Sequence, residues 1–447
     1  MSLQTELIKN GDLAVVIGAA ASGLAAARLL TLLGAKVRVL DKKGAYSQDF
    51  TAAAKEGGWE LRSGEHSPAD FHGAALVVPS PGVPVKVFEP LLARAALPNG
   101  PRWVSELELA SRFAHDKGER VIAITGTSGK TTTSSLIAAM LQEAGKRVFL
   151  GGNIGTPLAD YVVWRETGRM RPADFLVLEV SSFQLQGIKT FHPEVGLLLN
   201  LSENHLDQHK DMAEYIEAKF GLFRNQENID LAIFGNEPPF LDKEVAARSF
   251  RAKVEFFRDK GNFKKSRLLG LHNRLNMEAA WLAVRRFGVT LEQAQQAAEN
   301  FAPMPHRLES VAEIDGVTYV NDSKCTTVAA LRVALESFIT EESVTPVLLL
   351  AGGVFKGGDL ASLRPLLERG VKAVGLFGGN REKFEEAWQG TAPLGWDEKM
   401  SEAVQRLRKL AAPGDVVLLA PATSSYDQYN NYKERGQDFI NIVRQLG

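Results

Sequence analysis

Residues 121–141 read VIAITGTSGKTTTSSLIAAML. A β-branched apolar run meets a glycine turn, and a helix-forming stretch follows without a gap. Strand, turn and helix in immediate succession belong to a parallel sheet whose crossovers are helices. The same alternation recurs along all 447 residues, in three stretches with different glycine signals. It predicts an α/β chain of three domains, over residues 1–105, 106–303 and 304–447. Pro101 and the pair Pro303 and Pro305 mark the hinges. Apolar residues make up 45% of the chain, enough for three cores. A net charge of −1 gives no global field for nucleic acid or a membrane surface. The single cysteine, Cys325, has no internal partner, which fits a reducing compartment. No apolar signal segment opens the chain, and no uncharged run of about 18 apolar residues occurs. A cytoplasmic monomer without membrane insertion is the expectation.

The turn departs from the usual G-x-x-x-x-G-K-[ST]. Ile124 stands five residues before Gly129, and the turn's other glycine is Gly126. The shorter G-T-S-G-K-T-T keeps the physics. The small residues Gly126, Thr127, Ser128 and Gly129 let backbone N–H groups approach phosphate oxygens. Lys130 reaches the β- and γ-phosphates, and the Thr131 hydroxyl can ligate Mg²⁺. A helix from Thr132 adds the positive end of its dipole. The bland alternative is a structural turn with a solvated lysine, and Gly-Lys-Thr-Thr stacked on an apolar strand disfavours it. The central domain therefore reads as P-loop ATPase-like, mostly parallel in its sheet, with ATP and Mg²⁺ as cofactors.

The first domain opens with LAVVIGAAASGLAAARLLTLLGAKVRVLD, a Rossmann-like strand, turn, helix and strand ending at Asp41. Ala20 breaks the strict G-x-G-x-x-G, so a nucleotide-related ligand and a purely structural turn stand level there. VVPSPGVP (77–84) reads as a rigid connector or a ligand-facing loop. The C-terminal domain repeats the pattern in VLLLAGGVFKGGDL, AVGLFGGN and VVLLAPATSSYDQYNNYKERG, and is also Rossmann-like.

Seven motifs then fall in order. GTSGKTT (126–132), LEVSSFQL (178–185), NHLDQH (204–209), GLHNRLN (270–276), HRLE (306–309), NDSKCTT (321–327) and AGGVFKGGD (351–359) resemble the Mur ligase family across nearly the whole chain. Within it they look like the branch that adds D-glutamate to UDP-N-acetylmuramoyl-L-alanine. The DNPR-type motif of the diaminopimelate- or lysine-adding relatives is missing, and Asp322-Ser323-Lys324 stands in its place. The resemblance implies an ATP-dependent ligase of peptidoglycan precursor synthesis. It works through an acyl phosphate and releases ADP and phosphate.

The resemblance also assigns roles. Lys130, Glu179, His205 and Lys219 are the catalytic set. Thr131, Glu179, His205 and Lys219 (as a carbamate) hold two Mg²⁺ ions. Read alone, Glu179 is equally a solvated strand-end charge, and Lys219 is a solvated helix lysine with Lys210 as its neighbouring alternative. Asn273 and Asn276 share a helix face and read adenine, or cap the helix. Arg307 meets ATP phosphate and Asp322 its ribose. The nucleotide-sugar falls to Ser22, Gly23, Asp41, Lys42, Ser80, Gly82, Asn153, Ser181 and Gln184. D-glutamate falls to Lys324, Thr326, Lys356, Ser425 and Tyr432, two lysines suiting a dicarboxylate. Tyr432 stands where the family commonly has phenylalanine, and Tyr426 replaces an aliphatic residue and narrows the pocket. Three other readings stay open: a relative using a different amino acid or folate, a non-catalytic ATP-binding switch, and a dehydrogenase resting on the first turn alone.

Overall fold

A computed structural model describes the chain except for residues 1–4, 45, 96–101, 203–208, 236–238, 267, 269, 303–304 and 341–342. It packs as two compact units, residues 1–262 with 275–298, and residues 263–274 with 299–447. The first unit holds two sheets. One comprises β1 (Leu13–Ile17), β2 (Lys36–Asp41), β3 (Glu60–Ser63) and β4 (Ala74–Pro79), in the order β3-β2-β1-β4, all parallel. The other comprises β5 (Arg120–Thr125), β6 (Val148–Gly152), β7 (Phe175–Glu179), β8 (Val195–Leu198), β9 (Leu231–Gly235) and β10 (Lys253–Phe257). Its order is β10-β9-β8-β5-β7-β6, again all parallel. Parallel strands covered on both faces read as continuous apolar runs, as β1, β4, β8 and β9 do, whereas β2 and the edge strands β3 and β10 carry charged residues and are partly exposed.

The two sheets share one continuous core. The helix Ala21–Leu32 explains it. Its buried face is mostly alanine and leucine, and it packs on β1 and β2 and also against the helix Leu158–Glu166 of the second sheet. Arg28 reaches Asp160 across that contact at 3.3 Å.

The chain passes from one sheet to the other through the helix Glu106–Ser111, capped by the Ser105 hydroxyl. Both carboxylates of its first turn are buried. Glu108 accepts the backbone N–H groups of Lys189, Thr190 and Phe191 at 2.8–3.0 Å and pairs with Arg112. Glu106 Oε1 accepts from Ala159 N at 2.7 Å, while Oε2 has no hydrogen-bond partner among the described residues. Burial pushes the Glu106 carboxyl up to about 7, and the nearby Asp160 adds to the rise. A carboxyl whose folded pKa lies above its unfolded one stabilises the fold most below the unfolded value. That stability is lost as pH rises through the folded value. Between pH 4.5 and 7 this group should withdraw on the order of 3 kcal/mol. Glu106→Gln removes that titration, so urea denaturation from pH 5 to 8 should show a variant gaining on the wild type as pH rises. Parallel stability curves would contradict the assignment.

The second unit holds β11 (Glu309–Ile314), β12 (Val317–Asn321), β13 (Val347–Ala351), β14 (Val371–Phe377), β15 (Leu394–Asp397) and β16 (Val416–Leu419). Their order is β11-β12-β16-β13-β14-β15, with only the β11–β12 pair antiparallel. Successive residues feed opposite cores: Val347, Leu349 and Ala351 one side, Leu348 and Leu350 the other. Among the described residues no helix is long and apolar enough to cross a membrane.

Candidate active site

β5 ends at Thr125 and the helix Lys130–Glu143 begins five residues on, two residues earlier than expected at Thr132. The reason is Gly129, which sits at φ 79° as the helix's N-cap, a left-handed backbone that glycine takes without steric cost. A Cβ there would also lie 2.7 Å from Asn276 Oδ1. Lys130 folds back over the turn, and its Nζ donates to Gly126 O at 2.8 Å and Thr127 O at 3.1 Å. Asn200, just past β8, accepts from Ser128 N at 2.9 Å, and the Tyr215 hydroxyl meets Thr127 Oγ1 at 3.0 Å. Thr133 Oγ1 donates to Asn276 Oδ1 at 3.2 Å.

Neighbouring parallel strands bring further groups to this edge, as is usual for ligand sites in such sheets. β7 ends in Glu179, paired in register with Ile124 of β5. Glu179 is only 2% exposed. Its Oε2 accepts from Thr131 Oγ1 at 2.7 Å and its Oε1 from Asn153 Nδ2 at 3.0 Å, Asn153 lying just past β6. Lys219, on the helix Met212–Phe220, is also 2% exposed. Its Nζ donates to Gly126 O at 2.9 Å and Thr125 Oγ1 at 3.3 Å, 4.6 Å from the centre of the Tyr215 ring. Burial, aided by the Lys130 charge and opposed by Glu179, holds its ammonium well below the usual lysine range. Lys210 is exposed instead. His205 lies outside the described residues, among which no group of three or more His, Cys, Asp or Glu converges.

In the first sheet, Gly18 turns at φ 94°, and a Cβ on Gly23 would lie 2.0 Å from Gly18 O. Close backbone packing thus requires glycine there, with Ser22 half-buried beside it. Asp41 and Lys42 have structural partners. Asp41 accepts from Ala19 N at 3.0 Å and from Lys43 N and Gly44 N at 2.9 Å, and Lys42 pairs with Glu65 at 2.5 Å. Ser80 Oγ donates to Gly18 O at 3.3 Å, while Gly82 is open on its side-chain side. A small cavity is bounded by Ser80, Pro81, Phe88, Trp103, Phe183 and Gln184. Gln184 Oε1 accepts from Ser181 N and Oγ at 3.0 Å, and its buried Nε2 has no hydrogen-bond partner among the described residues.

In the second unit, Asp322 follows β12. Burial pushes its carboxyl up to about 7 against the pull of the Leu308 N–H and Arg307, although part of its surface stays open. Arg307 is exposed between two residues of positive φ, His306 at 64° and Leu308 at 42°. Asn273 belongs to this unit, one helical turn before Asn276 on Leu271–Val284. Lys324 lies 4.3 Å from the ring centre of Tyr432, and Lys356 5.5 Å from that of Tyr426. Ser425 is buried and Thr326 half-buried.

Sequence reasoning missed Asn200, Tyr215, Thr125 and Arg435. Tyr215 had a signal, lying four residues before Lys219 on one helix face. Asn200 shares with Glu179 the position at a strand's end. Arg435 donates to Ser323 Oγ, Ser323 O and Thr423 O at 3.0–3.1 Å, and nothing in its local sequence announces that.

Comparison with known proteins matches residues 124–276 to the Mur ligase middle domain and residues 306–423 to the Mur ligase glutamate ligase domain. A protein of Nitratidesulfovibrio vulgaris (strain DSM 19637 / Miyazaki F), named UDP-N-acetylmuramoylalanine–D-glutamate ligase, is 54% identical over 99% of this chain and 98% of its own. One of the same name from Lawsonia intracellularis is 50% identical over 96% of this chain and 94% of its own. Among solved structures, the MurF ligase of Thermotoga maritima in complex with ADP shares the fold. Its TM-score is 0.62 at 18% identity, covering 99% of this chain and all of that one.

Proposed function

The chain belongs to the Mur ligase family, and from that membership we propose that it joins D-glutamate to UDP-N-acetylmuramoyl-L-alanine at the expense of ATP, in cytoplasmic peptidoglycan precursor synthesis. One observation carries the reading at the level of residues. The phosphate-type loop, Thr131, Glu179 and Lys219 meet at one sheet edge, in a chain half identical to ligases of that name.

The γ-phosphoryl group passes to the L-alanine carboxylate and ADP departs. The D-glutamate amine then attacks the acyl carbon, and phosphate leaves with one oxygen of the original carboxylate. Two anions must approach for the first transfer, so positive charge has to be waiting. Lys130 supplies it after swinging from the loop carbonyls to the phosphates. The backbone N–H groups of residues 126–132 cradle the same oxygens. Asn273 and Asn276 take the adenine edge, Arg307 a phosphate and Asp322 the ribose.

The donor set suits Mg²⁺. A carboxylate and a hydroxyl already aligned 2.7 Å apart are hard oxygen ligands. Glu179 and Thr131 would hold the ion, with His205 by family resemblance, and its charge offsets that of the phosphates and the carboxylate. Lys219 joins them as a carbamate. Only a neutral amine reacts with CO₂, and burial keeps this one neutral far more readily than a solvated lysine. Ser22, Gly23 and Ser80 serve the diphosphate side of the nucleotide-sugar, and Asn153, Ser181 and Gln184 its muramoyl end. The unused Gln184 Nε2 favours that assignment. Gly82 and the pair Asp41 and Lys42 complete the set, the last two after exchanging their present partners. Lys324, Thr326, Lys356, Ser425 and Tyr432 take D-glutamate.

Substrate carrying ¹⁸O in its L-alanine carboxylate tests the chemistry. One ¹⁸O should appear in each phosphate released. Phosphate free of the label would rule out the acyl phosphate.

A further inference from the structure

Strands β12, β16 and β13 lie side by side and parallel, so the loops after them gather at one edge. Those loops carry Lys324, Tyr426 and Lys356, and Tyr432 opens the helix Tyr432–Arg444 just beyond. Val354 and Ser424 exchange paired backbone hydrogen bonds at 3.0 Å, tying the loop of Lys356 to that of Tyr426. Ser323 Oγ donates to Tyr432 O at 2.8 Å, anchoring that residue. Among the described residues, neither Lys324 nor Lys356 forms an ion pair, and each ammonium sits near a tyrosine ring instead. Packing does not account for Tyr426, which is 69% exposed.

A carboxylate partner would neutralise these ammonium groups and occupy their N–H donors. A ring face attracts the cation through its quadrupole and leaves charge and donors available. We propose that Tyr426 and Tyr432 are positioning residues, which hold the Lys356 and Lys324 ammonium groups in place, unneutralised, for the two carboxylates of the incoming amino acid. This rests on the functional reading above and adds the rings, not the lysines, as determinants of amino-acid affinity. A dicarboxylate gains from both pairs, and a monocarboxylate from only one.

Steady-state kinetics of Tyr426→Leu, Tyr426→Phe, Tyr432→Leu and Tyr432→Phe test it, with thermal melts confirming folded protein. The leucine variants should raise the D-glutamate KM, about threefold at the exposed Tyr426 and about tenfold at the more enclosed Tyr432. The ATP KM should stay constant, and the phenylalanine variants should lie within about twofold of wild type, since the ring is retained. In a Lys356→Met background, Tyr426→Leu should change nothing further. Leucine and phenylalanine variants that behave alike would overturn the proposal, as would a Tyr426→Leu effect undiminished without Lys356. Wild-type protein indifferent to D-glutamate would refute the functional reading itself, so the two failures are distinguishable.

Discussion

Lys130→Ala should lower D-glutamate-dependent phosphate release about a thousandfold while leaving the fold intact. The magnitude follows from what the lysine would do. It would bring a full positive charge to the oxygens of a transferring phosphoryl group, so its loss should fall on the transition state. The fold should tolerate the change, because the Lys130 ammonium donates to two carbonyls of its own turn and its side chain is only partly buried. Stopped-flow or steady-state phosphate release, with a thermal melt as control, measures both halves. A variant within tenfold of wild type would remove the loop from the chemistry and return it to a structural turn.

Lys219→Ala should cost about a hundredfold or more, and acetate or formate should restore part of the rate. Removing this side chain leaves a space beside Gly126 and Tyr215 that a small carboxylate can enter. There it would stand in for the oxygens of the proposed carbamate. Acetamide, of similar size but uncharged, should fail. Equal rescue by acetate and acetamide, or full activity without either, would contradict the carbamate assignment. An amine carrying the proposed carbamate would lose it when CO₂ and bicarbonate are stripped, so wild-type activity should fall in degassed buffer and recover on adding bicarbonate.

The sheet edges were legible because the signals are local. Apolar runs buried on both faces of parallel strands need no periodicity to stand out, and glycine punctuates where strands turn into helices. Glu179 and Asp41 were found as the last residues of their strands for that reason. What the sequence could not show depends on contacts between distant segments. The joint core of the first two sheets depends on a helix burying alanines against one sheet while meeting a helix of the other. Such a helix is rich in small apolar residues on most of its circumference, and only assembly reveals its second neighbour. Asn200 acts through its side-chain oxygen on Ser128 N and Thr125 through its hydroxyl on Lys219, while Arg435 gathers two acceptors of Ser323, 112 residues away, and Thr423 O, 12 residues away. The helix start at Lys130 was misplaced by two residues because the capping residue is a left-handed glycine, not a hydroxyl side chain. Asp41 and Lys42 were expected to face a ligand, and the Ala19 N–H on Asp41 and the Glu65 carboxylate on Lys42 show how readily partners from neighbouring turns occupy such groups.

Phosphate release from ATP and Mg²⁺ in the presence of UDP-N-acetylmuramoyl-L-alanine tests the central claim most directly, with D-glutamate, L-glutamate, L-lysine and meso-diaminopimelate offered in parallel. The account predicts release with D-glutamate alone, at one phosphate per glutamate joined. Release driven by one of the other amino acids, or by none of them in folded protein that binds ATP, would contradict it.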